Sequence, residues 1–447
     1  MLGKKFDIKK FFSSIFLFLS VSSYIIPEDI APIKAPFDMP QLKRPVFPDL
    51  NMSITKTGAK QNKLSTSAIQ KAIDEVAKNG GGTVIVPSGQ WLTGRIELKS
   101  NINLKLEEGA ELKFSGEIKD YLPVVPTRNE GVDVISLGAM IYANGAKNIA
   151  LTGNGKLIAP SRDCELMQHA MGGVSEELQD IPFENRVFDG TNDGQICLPQ
   201  FFGPINSENI LVEGVKFIDS IFWNIVPVYC ENIIIRGVEV SNYGLARTDG
   251  IDIDSSKNAL IEYTTLDCDD DAFTLKAGRG KDGKLKARPT ENVVIRNCTV
   301  KRASGGIAIG TETAAMIRNV YMHDVIMENP NSPLYFKTRR PRGGGGENMW
   351  FENIHILNTK KNAFRFDMLG DSSSVGDMAK RFPIQPVTEL TPVFRNLHFK
   401  NITVDNCQML ISAKGLPESP IENLTFENIQ SENRKINLQD VGTVDFK

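Results

Sequence analysis

Asn232-Ile233-Ile234-Ile235-Arg236-Gly237-Val238-Glu239-Val240 is one copy of a phrase that returns along most of this chain. The phrase consists of an asparagine, two or three β-branched or apolar residues, a polar residue and a second short apolar run. Short runs of this composition predict β-strands. Other copies begin at Asn148, Asn209, Asn258, Asn292, Asn319, Asn348, Asn396 and Asn423.

The spacing of the copies predicts the fold class. Most neighbouring copies are 23 to 34 residues apart, and the larger gaps hold irregular segments with glycine and proline. Because a short β-rich unit cannot bury its faces alone, successive units must stack. Propeller blades would need four strands in about 40 residues or more. We therefore predict an all-β, single-stranded right-handed parallel β-helix, with isoleucine and valine ladders inside and asparagines at the turns.

Segments outside the repeat carry separate signals. In residues 66–82 the apolar residues recur at helical spacing and a run of three glycines follows, which predicts a short N-terminal capping helix. Ser65 or Thr66 would supply its N-cap. The Pro-rich lead segment, residues 27–48, is predicted to be extended, and residues 49–447 are predicted to form one β-helix domain.

Longer insertions are predicted to project from the coil and to flank the face that holds the candidate catalytic residues. They comprise residues 160–205, 278–290, 339–346 and 367–392. The glycine run at 343–346 is expected to be a flexible loop, because it lacks the strand-to-helix context of a phosphate cradle.

The N-terminus predicts export. Four lysines between residues 4 and 10 precede a short apolar run over residues 11–26. This order is typical of a secretory signal, with Val21-Ser22-Ser23 as a candidate cleavage site. The run is short for a membrane span, and an uncleaved anchor is the alternative. We expect residues 1–26 to be a signal peptide and the protein to be secreted or periplasmic.

Composition excludes several classes of partner. A net charge of −3 indicates neither a nucleic-acid nor an anionic-membrane partner. The six cysteines are scattered, and Cys268 and Cys298 lie in strand-like runs where buried free thiols are expected. With four histidines and no Cys/His cluster, a zinc site is not expected. We predict a monomer without metal or cofactor.

Aspartates concentrate in two stretches, residues 248–254 and 267–271. Asp249 and Asp270 are 21 residues apart, close to one repeat, so they are predicted to lie on adjacent rungs ~4.8 Å apart. Like charges at that distance resist joint ionisation, so at least one pKa should rise. A protonated acid beside ionised ones is what glycosidic bond cleavage uses. The alternative is that these aspartates are ordinary turn residues.

Asp252, Asp254 and Trp223 have simpler interpretations. Asp252 and Asp254 alternate with isoleucines and are therefore expected to face solvent. Trp223 is open to two interpretations, core packing or a platform on which a sugar stacks.

The two acidic motifs resemble those of one known family. Arg247-Thr248-Asp249-Gly250 is similar to Asn-Thr-Asp-Gly with the asparagine replaced, and Asp269-Asp270-Asp271 is similar to Gly- or Gln-Asp-Asp. From about residue 50 to the C-terminus the chain resembles glycoside hydrolase family 28, the polygalacturonases and their relatives, in its bacterial branch. Weaker similarities lie at residues 81–87, 222–227 and 391–396. The resemblance implies a pectin lyase-like β-helix.

The resemblance also implies roles for individual residues. Family members invert configuration, and Asp270 would be the general acid while Asp249 and Asp271 would activate the attacking water. An inverting pair needs ~6.5–9.5 Å between carboxyls to hold that water. A turn or bulge could bring both Asp270 and Asp271 to the cleft. Lys276, in the segment that continues the second motif, would bind substrate.

Two later motifs depart from the family. Ser304 takes the place of the histidine in Gly-His-Gly, and Tyr335 replaces the arginine of Arg-Ile-Lys, whereas Lys337 remains. Arg339, Arg340 and Arg342 follow closely. We expect Ser304, Tyr335, Lys337, Arg339 and Arg340 to bind a uronate, since arginine grips carboxylates bidentately. The alternatives are a solvated basic loop and, for Tyr335, packing on a rung.

Three functions compete at this point. The favoured one is inverting hydrolysis of α-glycosidic bonds in a galacturonate-containing, pectic polysaccharide or oligosaccharide. A β-helix polysaccharide lyase is the main alternative, because seven aspartates between residues 249 and 271 could bind Ca²⁺. The third is a β-helix that binds pectin without cutting it, suggested by Ser304 and Tyr335.

Overall fold

The computed structural model describes residues 27–191, 194–370 and 372–447. The segment predicted as a signal peptide, residues 1–26, lies outside the described residues, so its assignment stays a prediction. None of the helices in the described part of the chain is long and apolar enough to cross a membrane.

Strands dominate the described residues. In chain order, β1 to β29 are Asn51–Ser53, Gly82–Val86, Gly89–Thr93, Ile96–Glu97, Ile102–Leu106, Ala110–Phe114, Val125–Asn129, Val132–Ser136, Ala139–Asn144, Lys147–Gly153, Lys156–Ile158, Gln200–Ile205, Glu208–Glu213, Lys216–Ile218, Glu231–Arg236, Glu239–Ser241, Ile251–Asp254, Lys257–Glu262, Thr265–Asp267, Phe273–Lys276, Thr290–Ile309, Ile317–Lys337, Gly345–Asn358, Asn362–Asp367, Val393–Asn406, Met409–Lys414, Glu422–Ser431, Ile436–Gln439 and Val444–Phe446. The α-helices α1 to α4 are Thr66–Lys78, Glu165–Gln168, Gly280–Lys286 and Ser372–Val375.

The strands stack as successive rungs of a right-handed parallel β-helix, as predicted. One sheet runs through β5, β10, β13, β15, β18 and the start of β21. A second joins β6, β11, β14, β16 and β19. The third, called the acid face below, consists of β17, β20, the C-terminal ends of β21 and β22, β24, β26 and β28.

The predicted asparagine turns are confirmed. All nine asparagines that open the repeat have a left-handed backbone, with φ between 54° and 59°. Asparagine tolerates this conformation better than other residues with a side chain. Each side chain also bonds the asparagine of a neighbouring rung, as Asn258 Nδ2 does with Asn232 Oδ1 at 3.2 Å. The repeat therefore encodes both the turn and its hydrogen-bonded ladder.

The interior consists of aligned apolar ladders. Ile102, Ile149, Ile210, Ile233 and Ala259 follow one another in register, and all are buried. In the neighbouring ladder that runs through Ile235, phenylalanine replaces the aliphatic residues toward the C-terminus, and the rings of Phe351, Phe399 and Phe426 stack. Because parallel strands place identical positions ~4.8 Å apart, each ladder excludes water along the whole coil.

Helix α1 closes the N-terminal end of the coil. Its four periodic apolar residues, Ile69, Ala72, Ile73 and Val76, have no exposed area. The predicted helix was too long: α1 ends at Lys78, because Gly82 already opens β2. Ser65 occupies the N-cap position but makes no capping bond; its hydroxyl lies 2.9 Å from the carbonyl of Lys63 instead.

The lead segment, residues 27–48, forms no helix or strand and covers an outward apolar strip of the first sheet. Leu42 is 5% exposed and packs in a cluster that includes Ile234 and Leu260. Backbone carbonyls of the lead segment accept hydrogen bonds from Arg236 and Arg296, which are buried on the same side. The lead segment thereby adds acceptors to two buried guanidinium groups that also pair with Glu262.

The insertions surround one end of the acid face. In chain order, the hairpin of β7 and β8 and the segment 160–199 precede its first strand, and α3 follows β20 and contacts β8. The expected flexible glycine loop at 343–346 is wrong in part. Gly345 and Gly346 begin β23, and Gly344 lies so close to the carbonyl of Thr313 that a Cβ there would be 1.7 Å from its oxygen.

Candidate active site

The two acidic stretches become neighbours where they enter the acid face. Asp249 precedes β17 and Asp271 precedes β20, and these strands pair in parallel with Ile251 opposite Phe273. The amide of Gly250 donates to the carbonyl of Asp271 at 2.9 Å. Asp270 and Asp271 lie in a bend ahead of the strand, which permits adjacent side chains to reach the same side. The predicted gathering of acids on one wall is therefore confirmed.

Asp249 is held at the back of the group. It is 3% exposed, and Thr274 Oγ1 donates to its carboxylate at 3.2 Å. Its backbone carbonyl accepts from both the amide and the side chain of Asn224. Burial, together with the charges of Asp252 and Asp270, raises the pKa of Asp249 well above its usual value.

Asp270 stands at the front of the group and is only half-buried. The backbone amides of Arg247 and Asp271 donate to its two carboxyl oxygens at 2.9 and 3.0 Å. Arg247 offers its amide from a left-handed conformation, φ 64°. Burial and the neighbouring charge of Asp271 raise the pKa of Asp270 above its usual value. This side chain is thus oriented and accessible, and its pKa is raised.

Asp271 is paired with a cation. Lys337 Nζ lies 2.6 Å from its Oδ2, and the aspartate is 2% exposed. Burial opposes the charge on Lys337, but Asp271 outweighs it, so the pKa of Lys337 is raised. An ammonium at hydrogen-bonding distance stabilises the ionised form of a carboxyl. Asp270 and Asp271 therefore have opposite environments although they are adjacent in the chain.

Lys276 has a different position from the one predicted. It is 4% exposed and lies 3.4 Å from Glu312, 3.6 Å from Asp252 and 3.8 Å from Asp249. Burial alone would lower its pKa, but these three carboxylates raise it well above the usual value. The prediction that Lys276 binds substrate is wrong, because the carboxylates beneath the site enclose its ammonium.

Trp223 belongs to the same buried layer. Its ring lies 4.4 Å from Lys276 Nζ and stacks on Phe222 at 4.9 Å between centroids. The side chain is 6% exposed. Of the two interpretations that the sequence left open, the structure supports packing rather than a sugar platform.

Asp252 and Asp254 correct another expectation. Both were expected to face solvent, yet they are 0% and 1% exposed. They do point out of the coil, but the hairpin of β7 and β8 and the side chain of Lys276 cover them. Arg128 of that hairpin pairs with Asp254 at 2.9 Å. Burial raises the pKa of Asp252 to about 7, since Lys276 offsets only part of the desolvation.

The arginines after Lys337 are not a solvated loop. Arg342 is 2% exposed and bonds Glu312 at 3.1 Å, and Arg340 pairs with the buried Glu418. Arg339 is half-buried, and no carboxylate of the described residues lies within ion-pair distance of it. Arg339 is therefore the one of these three arginines whose charge is open to a ligand.

The replaced family positions lie around Asp271. Tyr335 is half-buried, and its ring lies 4.9 Å from Lys337 Nζ. Ser304 donates its amide to the carbonyl of Asp270 at 2.9 Å. A Cβ at Gly305 would lie 2.5 Å from Asp271 Oδ1, so position 305 is the one that faces the acids. The assignment of Ser304 to the site is thus off by one residue.

Several residues of this region carried no clear sequence signal. Glu312 follows the turn after β21 and neutralises Lys276, Arg279 and Arg342 from below. These cations hold the pKa of Glu312 well below its usual value although burial opposes them. Glu130, at the tip of the β7–β8 hairpin, bonds Arg247 at 2.7 Å. Such partners come from remote segments, and no local pattern marks them.

The arrangement provides parts for acid–base chemistry on an anionic ligand. The pKa of Asp270 is raised, and Asp271 beside it bonds the ammonium of Lys337. In the described part of the chain, no group of three or more His, Cys, Asp or Glu side chains could hold a metal ion. All six cysteines are free thiols, as expected for Cys268 and Cys298.

Comparisons with known proteins agree with this geometry. The sequence model described as "Glycosyl hydrolases family 28" matches residues 185–430. A probable polygalacturonase of Vitis vinifera is 27% identical over 379 residues, which are 82% of this chain and 70% of that protein. An exo-poly-alpha-D-galacturonosidase of Dickeya chrysanthemi is 27% identical over 339 residues, which are 70% of this chain and 56% of that protein.

Among solved structures, the chain is similar to a hyperthermoactive exopolygalacturonase from Thermotoga maritima. The TM-score is 0.80 and the sequences are 30% identical, with 91% of this chain and 94% of that one covered.

Proposed function

The chain belongs to glycosyl hydrolase family 28 and is a glycosidase, and we propose that it cleaves galacturonan by inversion with Asp270 as the general acid. The observation that supports this most directly is the opposite environment of two adjacent carboxyls. Burial and Asp271 raise the pKa of Asp270, whereas Lys337 holds Asp271 at 2.6 Å. Inverting hydrolysis requires one protonated and one ionised carboxyl.

In the proposed reaction Asp270 donates a proton to the oxygen of the leaving sugar. Asp271 accepts a proton from the water that attacks the anomeric carbon from the opposite side of the ring. Asp249 lies behind the same water, where Thr274 Oγ1 bonds its carboxyl at 3.2 Å and Lys276 Nζ lies 3.8 Å away. No step requires a metal ion.

The substrate class follows from the charges beside the acids. A neutral polysaccharide would gain nothing from cations on this wall, whereas each galacturonate unit carries a carboxylate. Arg339 pairs with no carboxylate of the described residues, so its charge is open to such a group. We therefore propose a pectic, galacturonate-containing substrate, bound across the acid face.

A finer proposal concerns attack from the chain end. Arg247, whose amide holds Asp270, donates its side chain to the carbonyl of Gly172 in the insertion and to Glu130 of the hairpin. Arg279 binds the carbonyl of Val174 and connects the same segments. We propose that these contacts close one end of the substrate-binding cleft beside the acid. A polymer cannot extend past that end, so release of units from a terminus fits better than cuts at internal bonds.

The proposal is tested by following the products of the wild-type protein. Polygalacturonate, rhamnogalacturonan and their oligomers are incubated with a chelator, and new reducing ends are counted while NMR records the anomeric configuration first formed. Release of inverted product in chelator supports the proposal. Retained configuration overturns inversion, and unsaturated product that needs Ca²⁺ overturns hydrolysis.

The mode of attack is read from the same digests. Attack at chain ends releases short products at once while the viscosity of polygalacturonate falls slowly. A rapid loss of viscosity at a low count of reducing ends would show internal cuts and contradict the closed end of the cleft.

We also propose that the protein is exported and acts as a monomer. The charged and apolar pattern of residues 1–26 supports export. N-terminal sequencing of the protein recovered outside the cytoplasm tests the cleavage near residues 21–23, and light scattering gives the mass in solution.

A further inference from the structure

The acid face continues beyond the acids toward the C-terminus. In register across successive strands, Thr274 is followed by Ala308, Tyr335 and Arg365. One such step is ~4.8 Å. Arg365 therefore lies on the rung directly after Tyr335, on the side of the coil where the acids lie.

Arg365 and Lys337 flank the same aromatic ring. The guanidinium carbon of Arg365 lies 4.4 Å from the centroid of Tyr335, and Lys337 Nζ lies 4.9 Å from it. A guanidinium over a tyrosine face is attracted by the ring and held in a defined orientation. Tyr335 thus positions a second cation close to the one that pairs with Asp271.

Most of the hydrogen-bonding capacity of Arg365 is unused. Among the described residues its only carboxylate partner is Asp367, 3.2 Å from Nη2. The other oxygen of Asp367 accepts from the amides of Leu369 and Gly370. Among the described residues, Nη2 to Asp367 is the hydrogen bond that the guanidinium of Arg365 donates, and the side chain is 22% exposed. A guanidinium has five N–H donors, so further donors remain for a ligand.

Of the other cations nearby, Arg339 lies among the charges of Glu312 and Arg279, and three are committed to partners. Arg340 and Arg342 are committed to Glu418 and Glu312. Lys337 is committed to Asp271, whose ionised form the reaction needs. A ligand carboxylate that took Lys337 would compete with the base, so a separate cation on this side of the acids is required.

We propose that Arg365, held on the ring of Tyr335, binds the carboxylate of the galacturonate unit next to the bond that is cleaved, on the C-terminal side of Asp270. This inference rests on the proposed function. The family has its arginine at the position of Tyr335, and this proposal places the carboxylate-binding arginine one rung later, at Arg365. Bidentate binding would fix both the position and the rotation of the sugar.

The experiment measures binding without turnover. In an Asp270→Asn background, trigalacturonate and its fully methyl-esterified form are titrated by calorimetry into the parent protein and into Arg365→Gln and Arg365→Lys. Arg395→Gln is the matched control, because Arg395 also has a single carboxylate partner, Glu347, but lies on another side of the coil. Thermal unfolding is recorded for each variant.

The expected result is a loss of about 10- to 100-fold in affinity for the acid trimer in Arg365→Gln, from the lost charge-assisted bonds. The esterified trimer should lose much less, Arg365→Lys should be intermediate, and Arg395→Gln should equal the parent. Equal losses for acid and ester, unchanged affinity for the acid, or no binding of the acid trimer by the parent would overturn the assignment.

The proposed function is tested independently of this inference. Its own test is the release of inverted product by the protein with Asp270 and Arg365 intact. A protein that hydrolyses galacturonan and loses no acid-specific affinity in Arg365→Gln keeps the function and rejects the site.

Discussion

Lys337 Nζ lies 2.6 Å from Asp271 Oδ2, although 66 residues separate the two in the chain. Two strand steps of the acid face, from β20 through the end of β21 to the end of β22, create the contact. The pair separates the environments of Asp270 and Asp271, which chain adjacency would otherwise make similar. This contact is therefore the reason that we propose different roles for Asp270 and Asp271.

Replacing the proposed acid should abolish most of the activity. Asp270→Asn cannot donate the proton, so kcat should fall by at least two or three orders of magnitude. Reducing-end release from polygalacturonate measures the loss. Asp267→Asn is the control, since Asp267 pairs with Arg302 outside the acid group, and it should keep near-normal turnover. If Asp270→Asn keeps most of its activity, the general acid is another residue.

Removing the charge of Lys337 should move the pH dependence. The active form has Asp270 protonated, so kcat/KM falls as the pH rises through the pKa of Asp270. Lys337 counteracts the burial and the Asp271 charge that raise that pKa. In Lys337→Gln the pKa of Asp270 should rise further, and the alkaline limb should shift to higher pH at reduced maximal activity.

The shift is measured from kcat/KM against pH on a short oligogalacturonate. Lys400→Gln, which removes an exposed lysine paired with Glu427, should leave the limb in place. An alkaline limb that moves to lower pH in Lys337→Gln would contradict the coupling between Lys337 and Asp270.

Asp252 should make stability depend on pH. Burial raises its folded-state pKa to about 7, against about 3.9 unfolded. Below the unfolded pKa both states are protonated and nothing is lost. As the pH rises to about 7 the unfolded chain ionises first, so the folded state loses stability. Asp252→Asn should therefore gain stability relative to wild type between about pH 4 and pH 7.

Urea unfolding at several pH values measures this difference. The gain should level off above pH 7, where Asp252 is ionised in both states. Asp74→Asn, on the exposed side of α1, should show no such trend. A difference that is constant with pH would mean that Asp252 is ionised throughout.

The asparagine ladder permits a separation of backbone and side-chain effects. Asn258 has φ 58°, and its amide bonds Asn232 while its oxygen accepts from Asn292. Asn258→Gly loses the hydrogen bonds only, about 1 kcal/mol each. Asn258→Ala also forces a residue with a Cβ into the left-handed region, which costs about 1–2 kcal/mol more.

Chemical unfolding of the two variants and wild type gives the ranking wild type, Asn258→Gly, Asn258→Ala in falling stability. Activity at low temperature should be unchanged in both, since the ladder lies on a corner away from the acids. Equal stability of the two variants would mean that the turn stores no backbone strain.

The lead segment should stabilise the coil without taking part in the chemistry. Leu42 is 5% exposed against Ile234 and Leu260. Leu42→Ala should lower the free energy of unfolding by about 2–5 kcal/mol. The kcat measured well below the unfolding temperature should not change. A change in kcat without a change in stability would reveal an unsuspected connection to the acid face.

The repeat and the two acidic motifs were readable from the sequence because both are local. A period of strand and asparagine turn specifies a stack, and carboxylates one period apart must then be neighbours. The same logic failed for Asp252 and Asp254. Their alternation correctly predicted that they leave the core, but the sequence contained no sign that Arg128 and Lys276 would cover them.

The prediction that Lys276 binds substrate was wrong for the same reason, because it assumed that the side chain is exposed. Its position depends on Glu312, Asp252 and Trp223, each from a different rung or turn. Glu130 and Arg365 were missed because their significance arises only from what stands opposite them. Neither belongs to a motif, and each becomes visible once the rungs are in register.

By itself, then, the sequence of this protein determined the coil, its asparagine turns and the wall of acids, because each depends on a repeat or on residues close in the chain. Only the tertiary structure decided which acid is paired with a cation, which lysine is buried and which arginine keeps further donors for a ligand. Those properties depend on burial and on charges carried in from other rungs, and desolvation and Coulomb interactions are set by distance in space.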